Sequence, residues 1–245
     1  MTASAPLRLL VIQHEADAPP AWFGQWWTEA GLVVEIVRGD LAHPIPSRIG
    51  EHDGLVVLGG AMGANDDEDY DWLTPTKALI ADTVERGIPT LGICLGHQLA
   101  ATALGGSVGR NPTGRAISLT RVGLTPQGDA DPLLTGLDGG LAIHYNDDVV
   151  LDAPPGSTVL AHAPDGSIQA LRLGPVAWGL QFHPEATPEV FDDWLTEYLT
   201  DDPQVPAWSA EVGAAREALQ TSWRPIADRY AVIVATTAAT RRASA

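Results

Sequence analysis

The first half of the chain alternates short apolar runs with longer amphipathic stretches. Leu9–Ile12, Val33–Val37, Leu55–Leu58 and Pro89–Ile93 are continuous in apolar character, as parallel strands buried on both faces are. Between them, Ala21–Ala30, Thr74–Arg86 and Leu95–Leu104 read as helices, with Gly31 and Gly87 where C-terminal caps belong. This β-α-β-α order predicts a doubly wound, mostly parallel sheet with helices on both faces. After Gly105 the segments shorten. Ile117–Leu124, Thr158–Ala163, Ile168–Leu173 and Val176–Gln181, divided by turns such as Pro154-Pro155-Gly156 and Pro164-Asp165-Gly166, read as additional mixed or antiparallel strands. Pro188–Leu199 and Ala210–Ala235 then read as helices, with fraying expected over Arg241–Ala245.

Composition narrows the partners. Of the 245 residues, 45% are hydrophobic and 18% charged, the balance of a globular chain with a sizeable core. Aspartate and glutamate number 31 against 14 lysine and arginine, a net charge of -17, so neither nucleic acid nor an anionic membrane is an expected partner. The apolar run near the start, Leu7–Ile12, contains Arg8 and is followed by His14, Glu15 and Asp17, which suits neither a signal peptide nor a membrane span. The single cysteine, Cys94, excludes an internal disulfide and a multi-thiolate zinc site, and a cytoplasmic location is expected. The acidic run Asn65–Asp71 lacks the glycine and closing glutamate of a calcium loop and reads as a solvated loop leading to a helix. Eight tryptophans, among them Trp26, Trp27, Trp178 and Trp223, read as core.

Three features carry chemistry. Gly92-Ile93-Cys94-Leu95-Gly96 follows a buried strand and opens a helix, the setting of a nucleophile elbow whose glycines permit the tight turn. A thiol there meets the positive end of the helix dipole, which favours thiolate, although a lone cysteine is as readily a buried structural residue. Gln181-Phe182-His183-Pro184-Glu185 supplies an imidazole at a strand end with a carboxylate placed to hold one tautomer, although alone it would also suit a surface turn. Gly59-Gly60 directly after a strand is, taken alone, a turn. If that strand neighbours the one before Cys94, the Gly60 and Leu95 amides would converge on one oxygen, with Gly63 easing the loop.

Together these blocks resemble the class I, or triad, glutamine amidotransferases: Gly92-Ile93-Cys94-Leu95-Gly96-His97-Gln98 is similar to the family's nucleophile segment and Gln181–Glu185 to its His/Glu segment. The resemblance covers about residues 7–200 and is nearest to stand-alone proteins similar to the amidotransferase domain of GMP synthase. It implies a flavodoxin-like α/β domain over residues 1–200, with 201–245 a C-terminal helical extension. It also implies a Cys94-His183-Glu185 triad, in which Cys94 attacks the side-chain amide of L-glutamine, His183 shuttles the proton and Glu185 orients His183. Gly60 and Leu95 become backbone oxyanion donors, and Gln98 binds the amino-acid end of the substrate. No metal and no cofactor is called for. Ammonia would pass to a synthetase partner or another acceptor. The chain past Leu199 is too short for the nucleotide-activating domain of a complete GMP synthase, so a free-standing γ-glutamyl hydrolase and a non-catalytic regulatory or scaffold protein stay open as alternatives.

The chain departs from the family at several points. Ala61-Met62-Gly63 replaces the proline and small polar residue that many relatives carry after the double glycine, and Arg115–Ser118 lacks a glycine common in relatives, leaving Arg115 as a candidate carboxylate contact. In His144-Tyr145-Asn146-Asp147-Asp148, tyrosine takes the place of a site histidine. His144 is then a rival partner for Cys94, and Asp147 is either a site residue or a solvated turn. His97 has no chemical role in the motif and reads as packing or capping.

Overall fold

The structure, a computed structural model, describes residues 5–137 and 139–244. The four apolar runs of the first half become β1 (Arg8–Gln13), β2 (Val33–Arg38), β3 (Gly54–Val57) and β4 (Thr90–Ile93), and the amphipathic stretches become α1 (Ala21–Glu29), α2 (Leu73–Glu85) and α3 (Leu95–Ala103). Gly31 (φ 87°) and Gly87 (φ 61°) follow α1 and α2 in the left-handed region, where a side chain would be strained.

Then come β5 (Ser107–Arg110), β6 (Ala116–Leu124), α4 (Pro126–Asp129), β7 (Gly140–Asn146), β8 (Asp148–Asp152), β9 (Thr158–His162), β10 (Ile168–Gly174), β11 (Ala177–Leu180), α5 (Pro188–Tyr198), α6 (Val205–Ala214) and α7 (Arg216–Ala243).

Nine strands form one sheet in the order β2-β1-β3-β4-β11-β10-β9-β6-β7, and β5 pairs with β8 in a second. The first five are parallel and have the 2-1-3-4-5 order of a flavodoxin-like sheet; from β10 to β7 the pairing is antiparallel. Strand alternation feeds two cores. Leu9, Val11, Val56 and Leu58 join the aromatic side chains of α1 and α7, whereas Leu10, Ile12, Leu55 and Val57 meet α2 and α3 on the other face. Because both faces are covered, β1, β3, β4 and β11 carry no polar stripe; β2, expected to be buried on both faces, is instead an edge strand with Val33 and Ile36 exposed, since it has a neighbour on one side only.

The final helical region differs from expectation. One helix over Ala210–Ala235 is two, α6 and α7, broken at Ala215 (φ -88°, ψ 1°). The break lets α6 pack on α5 and β6 while α7 packs on α1 and β7. Trp223, Tyr230 and Val234 of α7 are buried. The Tyr230 hydroxyl donates to the Leu55 carbonyl (2.8 Å) and the Trp27 indole donates to the Ala227 carbonyl (3.1 Å). Helix α7 continues to Ala243, past the expected start of fraying at Arg241, and Arg242 reaches Asp53 at 3.1 Å.

The strands β5, β7 and β8 were not anticipated; they carry glycine, exposed positions or short length, and find their pairing only across the tertiary structure. Asn65–Asp71 is the expected loop before α2, with Asp67 accepting from Lys77 Nζ (2.6 Å) and Thr74 Oγ1 (2.6 Å).

Candidate active site

Strand β4 ends at Ile93 and α3 begins at Leu95, so the whole reversal falls on Cys94, whose φ of 50° and ψ of -106° lie outside the relaxed regions. Such a conformation costs of order 1–3 kcal/mol and persists only where its surroundings enforce it. Here the Cys94 amide donates to the Leu180 carbonyl (2.7 Å) and the Gly96 amide to the Leu58 carbonyl (3.1 Å), stitching the elbow to the strands on either side. A methyl on Gly92 would sit 2.4 Å from the Gly96 carbonyl oxygen, and one on Gly96 2.0 Å from that of Val57. The Gly-x-Cys-x-Gly spacing is therefore a packing requirement as well as a turn requirement. Cys94 is 6% exposed at the floor of the cavity described below, and Gln181 Nε2 lies 3.7 Å from its Sγ.

Beyond β11 the chain passes beside β7, where the His183 amide donates to the Ile143 carbonyl (2.9 Å). His183 Nδ1 is 2.8 Å from Glu185 Oε1, with both side chains 4% exposed. The other ring nitrogen faces Cys94, with which the side chain is hydrogen-bonded. The Trp194 ring of α5 covers the imidazole at a centroid distance of 4.6 Å. Burial disfavours imidazolium here, but the charges of Cys94 and Glu185 outweigh it and hold the His183 pKa well above its ordinary value.

The loop after β3 completes the floor. A methyl on Gly59 would lie 2.9 Å from His183 Cε1 and 3.6 Å from Cys94 Cβ, so the bare Cα lets strand, histidine and cysteine close together. A methyl on Gly60 would lie 2.7 Å from Met62 Sδ and 3.0 Å from His14 Cβ. The Gly60 and Leu95 amides have no hydrogen-bond partner among the described residues, whereas those of Ala61 and Gly63 are taken by Glu15 Oε1 (2.6 Å) and Asp66 Oδ2 (2.7 Å).

Above this floor opens a cavity of about 580 Å³ at the carboxyl ends of the parallel strands. Glu15, Asp17 and Asp66 lie on its wall, and so do Arg110 and Arg115. Arg115 Nε and Nη2 are bidentate on Asp147 (2.6 and 2.8 Å), and Arg110 reaches the same carboxylate at 3.0 Å, so Asp147 lines the cavity as the anchor of both arginines. Gln98 also lines the cavity, with Nε2 donating to the Asp148 carbonyl at 2.9 Å. His144 points elsewhere, with Nε2 2.7 Å from Gln169 Oε1, and takes no part in the cavity lining; Tyr145 is there instead. His97 is fully buried against Gly179 of β11 and packs rather than reacts; burial lowers its pKa to about 3.

Glu15, Arg110, Trp194 and Tyr198 are among the cavity residues that the sequence did not mark. Glu15 follows β1 at a sheet switch point, the signal that was available for it; Trp194 and Tyr198 lie on a helix far along the chain and carried none.

With this geometry in place, comparison with known proteins identifies the class. The family model for class I glutamine amidotransferases matches residues 25–200, and the chain belongs to that family. The chain is 34% identical over 176 residues to the glutamine-hydrolysing GMP synthase of Aeropyrum pernix, an alignment covering 69% of this chain and 32% of that protein. It is 27% identical over 194 residues to a glutamine amidotransferase-like protein of Salmonella typhimurium, covering 76% and 79%. Among solved structures, a glutamine amidotransferase from Methylobacillus flagellatus superposes with a TM-score of 0.82 at 25% identity, covering 95% of this chain and 96% of that one. One from Thermotoga maritima gives 0.83 at 24% identity, covering 93% and 99%, and shows the shared fold. The alignments span a third or less of the GMP synthase of Aeropyrum and the aminodeoxychorismate synthase of Streptomyces griseus, at 32% and 20% of their lengths.

Proposed function

We propose that the chain hydrolyses the side-chain amide of L-glutamine to glutamate and ammonia through a thioester on Cys94, and that the ammonia passes to an acceptor or synthetase partner. Cys94 Sγ, as thiolate, attacks the amide carbon, and the carbonyl electron pair moves onto oxygen between the Gly60 and Leu95 amides. His183 gives its Nε2 proton to the amide nitrogen, the C–N bond breaks, and ammonia leaves. The neutral imidazole then takes a proton from water, which adds to the thioester. Collapse of the second tetrahedral species expels the thiolate and releases glutamate. Glu185 holds His183 through Nδ1 and stabilises its charged form, and Gln98 holds the amino-acid end of the substrate. Residues 1–200 carry this chemistry, with 201–245 as the helical extension.

The observation that carries the reading is the buried Cys94-His183-Glu185 line at the mouth of α3, beside two amides with no partner among the described residues. A non-catalytic scaffold would have no need of the strained φ at Cys94 or of the paired buried histidine. One observation favours a second reading, hydrolysis of a γ-glutamyl compound. A cavity of about 580 Å³ is of the size that holds drug-like ligands and leaves room for a leaving group larger than ammonia.

The test is release of glutamate and ammonia from L-glutamine by the purified chain, beside a γ-glutamyl dipeptide and a Cys94→Ala control. Cys94-dependent ammonia release establishes the glutaminase. Cleavage of the dipeptide alone establishes the γ-glutamyl hydrolase, and silence on both refutes free-standing catalysis.

A further inference from the structure

The family match begins at residue 25, so the loop between β1 and α1 lies before it. That loop nevertheless reaches the floor of the cavity. Glu15 Oε1 accepts the Ala61 amide at 2.6 Å, one residue beyond Gly60. The loop is itself braced from β1, where the buried Gln13 side chain donates through Nε2 to the carbonyls of Glu15 (2.7 Å) and Ala16 (3.3 Å). On the far side of Met62, Asp66 takes the Gly63 amide.

Two consecutive glycines have the widest backbone freedom of any dipeptide, and a carbonyl-polarising amide works only if it is already aimed before charge develops. Gly59 and Gly60 have no side chains with which to hold themselves. We propose that Glu15 is a positioning residue for this loop: by accepting the Ala61 amide it fixes the Gly60–Ala61 peptide, so that the Gly60 amide stays free and directed at the carbonyl held over Cys94. The proposal rests on the assignment of the Gly60 amide as an oxyanion donor.

The carboxylate works under load. Glu15 faces Asp17 of its own loop, Asp40 beyond β2, Glu197 and Tyr198 of α5, and Arg38 of β2. Burial and these acidic neighbours raise its pKa to about 7, with the Ala61 amide opposing. The charged form accepts an N–H more strongly than the neutral acid. As pH falls through about 7 the brace therefore loosens, and the rate falls with it.

The test compares wild type with Glu15→Ala and Glu15→Gln in two measurements: kcat and KM against pH on whichever substrate the chain hydrolyses, and hydrogen exchange at the Ala61 amide. Glutamine keeps an acceptor oxygen but does not titrate. Glu15→Ala is expected to lower kcat about 10–100-fold with KM within about threefold, and to speed exchange at Ala61. Glu15→Gln is expected to hold rate and protection, at every pH, near the level wild type reaches below pH 7, between those of charged wild type and Glu15→Ala, and so to abolish the acid limb near pH 7. Unchanged protection in Glu15→Ala overturns the brace, and lost protection with unchanged kcat overturns its catalytic consequence. A rise in KM alone would make Glu15 a substrate contact and overturn the proposal. If wild type hydrolyses neither substrate, free-standing catalysis fails, while exchange at Ala61 still upholds or overturns the brace.

Discussion

Cys94 adopts a conformation no side chain prefers, and the reward for that strain is a sulfur facing His183 instead of the strand core. If nucleophile and proton shuttle act as a unit, Cys94→Ala is expected to remove roughly 10⁴-fold or more of kcat while leaving the thermal transition unchanged. His183→Asn added to Cys94→Ala should cost no more than either change alone; additive losses would mean that the two residues act separately. Glu185→Gln keeps a hydrogen-bond acceptor for Nδ1 but loses the charge, so a smaller fall of about 10²-fold is expected. Loss equal to that of Cys94→Ala would show that Glu185 does more than orient. These three residues were legible because each lies in a short local pattern, glycines around the cysteine and a carboxylate two residues from the histidine. Glu15 was not, because nothing local marks a carboxylate whose partner is the amide of Ala61.

At the level of the element, the glycines of the elbow and those of the last helices behave differently. An alanine methyl at Gly96 would meet the Val57 carbonyl oxygen at 2.0 Å, a contact only backbone movement can relieve. Gly96→Ala is thus expected to destabilise by about 2 kcal/mol or more and to cost activity along with stability. Gly213 on α6 has no atom within 4 Å of such a methyl, and Gly213→Ala should stabilise by about 0.5–1 kcal/mol. Urea midpoints of the two variants would separate them, and equal shifts would contradict the packing argument. The early strands and helices were readable because their periodicity spans whole elements. The break between α6 and α7 was not, since Gly213-Ala214-Ala215 sits in a stretch with good helix formers, and the turn serves two different packing surfaces.

Across the whole molecule, burial of neutral histidines couples stability to pH. His97 is fully buried with neither ring nitrogen hydrogen-bonded among the described residues, and its pKa is lowered to about 3. His14 accepts the Trp72 indole N–H at Nδ1 (3.1 Å), and burial, opposed by Asp40, brings its pKa to about 4. In the unfolded chain both would titrate near 6.5. Between these values the unfolded state binds more protons, so each histidine is expected to remove about 1.4 kcal/mol of stability per pH unit on acidification below about pH 6. His97→Leu should flatten by that amount the pH dependence of the unfolding free energy obtained from urea titrations. An unchanged slope would show that His97 is protonated in the native protein.

The sequence by itself determined what short-range physics can write. Continuous apolar runs become parallel strands, buried except at the edge strand β2, amphipathic stretches become helices, and local patterns mark Cys94, His183 and Glu185 as candidates for chemistry. What only the tertiary structure decided depends on residues far apart in the chain. Strand β11 lies beside β4 and brings His183 to Cys94, Asp147 anchors two arginines, His144 turns to Gln169, and Glu15 takes the Ala61 amide. Pairing and hydrogen bonding of that kind leave no periodicity behind, because each partner satisfies its contact in space while its neighbours in sequence answer to other parts of the fold.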